Sequence, residues 1–235
     1  CWANEPWSRR WDGRARDVLQ PQFYSDKDDV AHIRWLLPAL ADHRAIKIEG
    51  KPVFLVYHAK ELPDPAHTTG VWRREVLKAG LKGVYLIAVE TGWDANWDAT
   101  QVGFDGKVLF QPQFSVLHNA GTRLAIPNRP ELRVFDYERT WPVLANPAPV
   151  AYRRYETVTP RWDNTPRQNE SGVVLHNSTP EAYEDWLRAA IARVQRDPVD
   201  HRVVFINAWN EWGEGCHLEP DLKFGNAYLD ATRRA

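Results

Sequence analysis

The chain has 235 residues, with 30 Lys and Arg against 31 Asp and Glu and a formal net charge of −1. That balance offers no global field to nucleic acid or an anionic membrane surface. No apolar run approaches the ~20 residues of a membrane-spanning helix, so neither nucleic acid nor a membrane is an expected partner.

The length suits one sizeable core and is read as a single domain, 1–235. Cys1 and Cys216 are the two cysteines and make no disulfide framework. Sparse cysteine favours a reducing, cytoplasmic compartment. The chain opens on Cys1 and has no Met, so the expectation is an excerpt, in which a missing leader carries no information.

Residues 1–7, Cys-Trp-Ala-Asn-Glu-Pro-Trp, read as the end of a strand entering a loop. Ser25, with Asp28 three residues on, marks a helix start. Val30, Ile33, Leu36, Leu37 and Leu40 follow at helical spacing, and Pro38 is expected to kink or shorten that helix. The spacing then predicts strands over 52–57 and 84–89, with a short helix over 71–78 stopped by Gly80. A shorter strand is expected over 108–110. Residues 111–150 are rich in Pro and Asn with little periodicity and read as a long loop. A strand over 155–159 leads to Trp162-Asp163-Asn164. Thr179 and Pro180 open a helix whose stripe is Tyr183, Trp186, Leu187, Ala190, Ile191 and Val194. A last strand covers 203–208, and a terminal helix 224–234.

Strands alternating with helices imply an α/β fold with a parallel sheet of right-handed crossovers. The strand ends carry polar or aromatic residues: Asn4 and Glu5, Tyr57 and His58, Glu90, Trp162 and Asp163, Asn210 and Glu211. In a parallel barrel those ends form the active-site face. A doubly wound sheet would normally show a glycine-rich phosphate loop, and the chain has none. A TIM-type barrel is therefore expected.

Chemistry is concentrated where Val203-Val204-Phe205-Ile206 breaks into Asn207-Ala208-Trp209-Asn210-Glu211-Trp212-Gly213-Glu214-Gly215-Cys216-His217. Carboxylates can move protons there, and aromatic rings can stack on sugar faces. Glu211 and Glu214, three apart, would face opposite sides of a straight strand. In a turn allowed by Gly213 and Gly215 both can reach one pocket. Glycosidic cleavage needs such a pair, and like charges held close raise one pKa so that one member stays protonated.

Trp2, Trp7, Trp11, Trp162, Trp209 and Trp212 are candidate sugar platforms, while Trp186 is expected in the core. Asn4 and Glu5 are candidates to grip sugar hydroxyls, joined by Tyr57, Glu90, Asp163 and Asn210. Arg9-Arg10 reads as a solvated pair rather than a phosphate site. Glu219-Pro220 reads as a loop-ordering element. Cys216-His217 has no second ligand pair at zinc spacing, so neither a metal nor another cofactor is expected.

Three motifs carry a resemblance: residues 1–13, Gly50-Lys51-Pro52-Val53-Phe54-Leu55-Val56-Tyr57, and 207–221. Together they resemble the WbsX family, described as glycosyltransferase-like and as a glycoside hydrolase family 99-like domain. The resemblance spans essentially the whole chain. It implies an eight-stranded (β/α) barrel acting in polysaccharide metabolism of the O-antigen or capsule kind. It also implies that the Asn4-Glu5 motif closes a third strand, so that strands three to eight are present and the first two are not.

By the same resemblance Glu211 is the base on a sugar 2-hydroxyl that attacks the anomeric carbon. Glu214 is the general acid, then the base for water. The chain departs from the hydrolase motif at Gly213, where His is usual, and at Cys216, where Thr is usual.

Two other readings stand beside a glycosidase-type enzyme. One is a nucleotide-sugar glycosyltransferase, which needs a diphosphate site, and the chain has no glycine-rich cradle. The other is a non-catalytic glycan-binding module. The expected partner in each case is an oligosaccharide or polysaccharide. The sugar, the linkage and the oligomeric state are not readable from the sequence.

Overall fold

A computed structural model describes residues 1–9, 14–92 and 96–235. The chain divides into two compact units, Cys1–Val108 with Val150–Tyr155, and Leu109–Pro149 with Glu156–Ala235.

In the first unit the strand Lys51–Val56 pairs in parallel with Tyr85–Glu90. Pro52, Phe54 and Val56 are its buried alternate residues, as a strand covered more fully on one face requires. Tyr85–Glu90 is buried at every position, the pattern of a strand covered on both faces. The expected opening strand is reduced to a single parallel bridge between Trp2 and Val56. There the Trp2 N–H donates to Leu55 O at 2.8 Å and the Tyr57 N–H to Trp2 O at 2.9 Å. Lys107 and Val108 pair in parallel with Arg154 and Tyr155.

The helix Asp26–Ala41 starts as expected, with the Ser25 side chain accepting from Asp28 N–H. It runs past Pro38 to Ala41, so of the kink or shortening expected there the shortening does not occur. Pro38 sits in the last turn on the exposed face, so the single lost bond leaves a carbonyl that water can reach. The second helix covers Pro65–Lys78, starting six residues before the expected Val71. Asp64 caps it by accepting from His67 N–H, with Pro65 in its first turn. Between helices and sheet lies a core built around Ile33, Phe54, Val56, Trp72, Val76 and Leu86.

The second unit corrects the reading of 111–150 as a loop. That stretch holds the helices Phe114–Leu117 and Tyr137–Leu144 and the strands Arg123–Leu124 and Arg133–Asp136. Arg133–Asp136 pairs in parallel with Val173–His176, and Trp162–Asp163 lies antiparallel to the same strand. Glu156, Thr157 and Val158 pair in parallel with Val204, Phe205 and Ile206.

The helix Pro180–Val194 has its Thr179 cap on Ala182 N–H and buries Tyr183, Trp186, Leu187, Ala190 and Val194. The final helix is Ala227–Arg234. Trp162, Trp186, Tyr137 and Tyr183 form the bulk of this core. Among the described residues no helix is long and apolar enough to cross a membrane.

Candidate active site

The strand Val204–Ile206 delivers the chain to the site in the second unit. Just beyond it, Asn207 N–H donates to Val158 O at 2.9 Å and its Nδ2 to Gln111 O at 2.7 Å. The chain then makes a small hairpin in which Asn210 and Glu211 pair with His217 and Cys216. Its tip is one 3₁₀ turn, Trp212–Glu214, capped by Glu211, whose carboxylate accepts Gly213 N–H.

The two glycines serve different ends. Gly215 has φ 61, the left-handed conformation that favours glycine. Gly213 has no such angle. Its part is closeness: a Cβ there would stand 2.8 Å from Nη2 of Arg167, so the guanidinium would have to move away.

Arg167 is the residue that sequence reading missed. It lies in the short helical turn Thr165–Gln168. Asp163 holds the start of that turn, its Oδ1 accepting from Thr165 N–H at 3.0 Å and from the Thr165 hydroxyl at 2.6 Å. The Arg167 guanidinium spans the two glutamates, with Nη2 3.0 Å from Glu211 Oε1 and Nη1 3.3 Å from Glu214 Oε1.

The Glu211 side chain is 36% exposed and that of Glu214 23%. Burial pushes the Glu214 carboxyl above its ordinary range and the Glu211 charge adds to this, while Arg167 opposes it. Cys216, paired with Glu211 across the hairpin, is buried and burial pushes its thiol far up, so it is no nucleophile near neutral pH.

The aromatic residues divide sharply. Trp162, expected as a platform, is 2% exposed, with Phe110 and Phe114 edge-on to its ring at 6.1 and 5.5 Å. It faces the core because it stands opposite Leu175 in the strand pair, while its neighbour Asp163 points the other way. Trp209 and Trp212 are 55% and 49% exposed, and Asn210 between them is exposed.

Behind Trp212 sits a polar cluster, also missed. Arg161 donates to Asp221 and contacts His217 Nε2. Burial and the Arg161 charge lower the His217 pKa, which keeps the imidazole neutral near pH 7. Burial works to raise the Asp221 pKa, but the Phe224 N–H and Arg161 outweigh it and hold the carboxyl well below its usual range.

The remaining expected residues belong to the first unit. Asn4 is buried and its amide bridges His58: Oδ1 accepts His58 N–H at 2.7 Å and Nδ2 donates to His58 O at 2.9 Å. Tyr24 OH donates to Asn4 O at 2.8 Å. Asn4 thus fastens two strand ends rather than presenting an open amide. Glu5 is half exposed and lies 3.2 Å from His58 Nε2, and the Tyr57 ring packs edge-on to His58 at 4.2 Å.

Glu90 is buried rather than open to a ligand, with Lys107 Nζ at 3.2 Å, Arg154 at 3.6 Å and the Tyr152 hydroxyl at 2.8 Å. Trp2 is part-buried against Tyr24, His32 and Trp72. Trp7 is exposed, while Arg10 and Trp11 lie outside the described residues.

An Asp-x-Asp triplet, Asp26-Lys27-Asp28, opens the first helix, with Asp26 Oδ1 3.1 Å from His67 Nε2. Among the described residues no three His, Cys, Asp or Glu side chains form a group that could hold a metal ion.

The uncharacterized protein WxcX of Xanthomonas campestris pv. campestris (strain B100) is 38% identical over 238 residues, covering all of this chain and 34% of the relative. The WxcX protein of strain ATCC 33913 matches equally. The chain thus spans about a third of the length of the curated relatives it matches.

Among solved structures, a glycoside hydrolase-like protein matches with TM-score 0.58 at 13% identity, covering 90% of this chain and 62% of that one. The GH99 endo-alpha-mannosidase from Bacteroides thetaiotaomicron matches with TM-score 0.55 at 16% identity, covering 91% and 61%. At such identities the likeness speaks for the fold alone. The model of the family described as Glycosyltransferase WbsX matches residues 1–232, and the chain belongs to that family.

Proposed function

We propose that the protein is a carbohydrate-active enzyme of (β/α)₈-barrel type that cleaves or transfers glycosyl units of a polysaccharide, of the O-antigen or capsule kind, through Glu211 and Glu214. One observation carries the reading. Two carboxylates three residues apart meet one guanidinium, and burial raises the pKa of the more enclosed one. That is the asymmetry an acid and a base in one site require.

In this reading Glu211 takes the proton of the substrate 2-hydroxyl, whose oxygen attacks the anomeric carbon. Glu214 gives its proton to the departing glycosidic oxygen, so the bond breaks without expelling an alkoxide. Arg167 engages Oε1 of Glu214, which leaves Oε2 as the proton-bearing atom. In the second half Glu214, now ionised, takes a proton from water. The water oxygen attacks the anomeric carbon, the bond from that carbon to the 2-oxygen breaks, and Glu211 returns its proton to the released 2-oxygen. Replacing water by a sugar hydroxyl turns hydrolysis into transfer.

A second reading, transfer from a nucleotide-sugar donor, is favoured by the family's description. One experiment separates the two. The protein is incubated with α-mannan and O-antigen oligosaccharides alone, and with an acceptor plus a panel of nucleotide sugars. Release or exchange of sugar without a nucleotide, lost in Glu214→Gln, supports the two-glutamate reading. Turnover only with a nucleotide sugar supports the second. Binding without turnover in either arm leaves a glycan-binding module and rejects both.

A further inference from the structure

Trp212 is a half-exposed indole that is nonetheless held on two sides. One face lies on the His217 imidazole, with ring centroids 3.6 Å apart and planes 19° from parallel. Its Nε1–H donates to Glu219 Oε2 at 2.7 Å. Together a stack and a hydrogen bond fix both the tilt and the in-plane rotation of the ring, at a cost in side-chain freedom.

The support continues inward. His217 is buried, and its Nε2 lies between Arg161 and Asp221, whose Oδ2 is 3.2 Å away, so that one of the two holds it according to the tautomer. Asp221 is itself fixed by accepting Phe224 N–H at 2.7 Å and Lys223 N–H at 2.8 Å. Arg161 lies over the rings of Phe224 and Tyr228 at 5.5 and 5.2 Å.

We propose that Trp212 is a one-sided, pre-oriented platform on which a pyranose ring of the substrate stacks, and that His217 and Glu219 are the positioning residues that hold it. The proposal rests on the reading of the protein as a carbohydrate-active enzyme and deepens it. The covered face cannot receive a sugar, so the ligand comes from the opposite side.

The bare indole face is electron-rich. It suits a ring surface of polarised C–H groups, the surface of a pyranose, and holding the indole beforehand removes an ordering cost from binding. Trp212 lies between Glu211 and Glu214 in the turn, so a sugar on its face is close to the carboxylates along the chain.

The test uses an array of α-mannan and bacterial O-antigen oligosaccharides. The tightest binder of the wild-type protein is then titrated against Trp212→Ala, Trp212→Phe, Glu219→Ala, Glu219→Gln, His217→Ala and His217→Phe, with a thermal melt of each. Trp212→Ala should weaken binding roughly tenfold or more, the loss usual for a central aromatic anchor. Trp212→Phe should keep much of the affinity.

Glu219→Ala should weaken binding severalfold with an unchanged melt. Glu219→Gln, whose amide oxygen still accepts from the indole, should restore it. His217→Phe should bind better than His217→Ala, because it keeps the stack.

Should His217 variants unfold, the Glu219 pair decides alone. Wild-type binding with an unaffected Trp212→Ala overturns the platform and leaves the enzyme reading standing. Equal affinity of Glu219→Ala, Glu219→Gln and wild type overturns the positioning role. A wild-type protein that binds no oligosaccharide on the array overturns both the proposal and the reading beneath it.

Discussion

The guanidinium of Arg167 lies so close over Gly213 that a Cβ at that position would stand 2.8 Å from Nη2 and 2.9 Å from Nε. Gly213 is therefore the space that lets one cation reach two carboxylates, at 3.0 and 3.3 Å. A side chain at that position would force the guanidinium to shift.

Removing the cation should shift the pH profile in a defined direction. Arg167 lowers the Glu214 pKa against burial and the Glu211 charge. In Arg167→Gln that opposition is gone, so the acid holds its proton to higher pH. The alkaline limb of kcat/KM should move upward. Gly213→Ala should move it the same way by a smaller amount, because the guanidinium is displaced rather than deleted. An alkaline limb that stays put or moves down in both variants contradicts the assignment of Glu214 as the acid.

Glu214→Gln should lower turnover of a natural glycan by roughly 10²–10⁴, the share of a general acid. A substrate with a good leaving group should regain part of the first step. The same variant has a stability signature. The raised pKa of Glu214 in the folded state means the folded protein binds its proton more tightly than the unfolded chain. That stabilisation is fully present below the unfolded value of about 4.3 and is lost as pH rises through the folded pKa. The melting temperature of Glu214→Gln relative to wild type should therefore increase from acid to neutral pH. A difference that is flat or falls over this range contradicts the raised pKa.

Trp162 and Trp209 should part company in a melt. Trp162 is 2% exposed and packed against Phe110 and Phe114. Trp162→Ala should cost ~3–5 kcal/mol, as should Trp186→Ala. Trp209 is 55% exposed, so Trp209→Ala should change stability by about 0.5 kcal/mol or less while weakening binding of an oligosaccharide. Urea titrations of the three variants, with a binding assay on Trp209→Ala, give the comparison. A Trp162 variant as stable as wild type would return that residue to the ligand side.

The legible parts of the chain are those where one pattern dominates several residues. The strand Tyr85–Glu90 is apolar nearly throughout, and the helix Pro180–Val194 repeats its stripe over four turns. The polar break after Ile206 pointed to the glutamate turn for the same reason. Residues 111–150 show no pattern because their strands are only two and four residues long, too short for alternation to register.

The second helix was cut short because Thr68 and Thr69 are buried where the pattern asks for apolar residues. Arg167 was invisible because its signal is a close approach to a glycine 46 positions away by number, which no spacing displays. Trp162 and Trp212 each stand beside an acidic residue. What separates them is the direction each side chain takes, set by strand pairing in one case and by the stack on His217 in the other.

Asn4 offers the last test, on the first unit alone. It was expected to grip sugar hydroxyls, yet its amide is buried and both its polar atoms are engaged by the backbone of His58, at 2.7 and 2.9 Å. Asn4→Ala would leave the part-buried His58 N–H and C=O without that partner. The loss should be ~1–3 kcal/mol, the desolvation cost of an unsatisfied buried group. Asn4→Asp keeps the acceptor for His58 N–H but faces His58 O with a second acceptor, so it should recover no more than part of the loss near neutral pH. Towards acid the added carboxyl protonates and can donate to that oxygen. Protonation is then favoured in the folded state, so the stability gap between Asn4→Asp and wild type should narrow as pH falls from neutral towards the ordinary aspartate value of about 3.9, and stay constant below it. Urea denaturation of wild type, Asn4→Ala and Asn4→Asp at neutral and acid pH reads all three quantities. An Asn4→Ala protein as stable as wild type would mean that the amide does not fasten the strand ends.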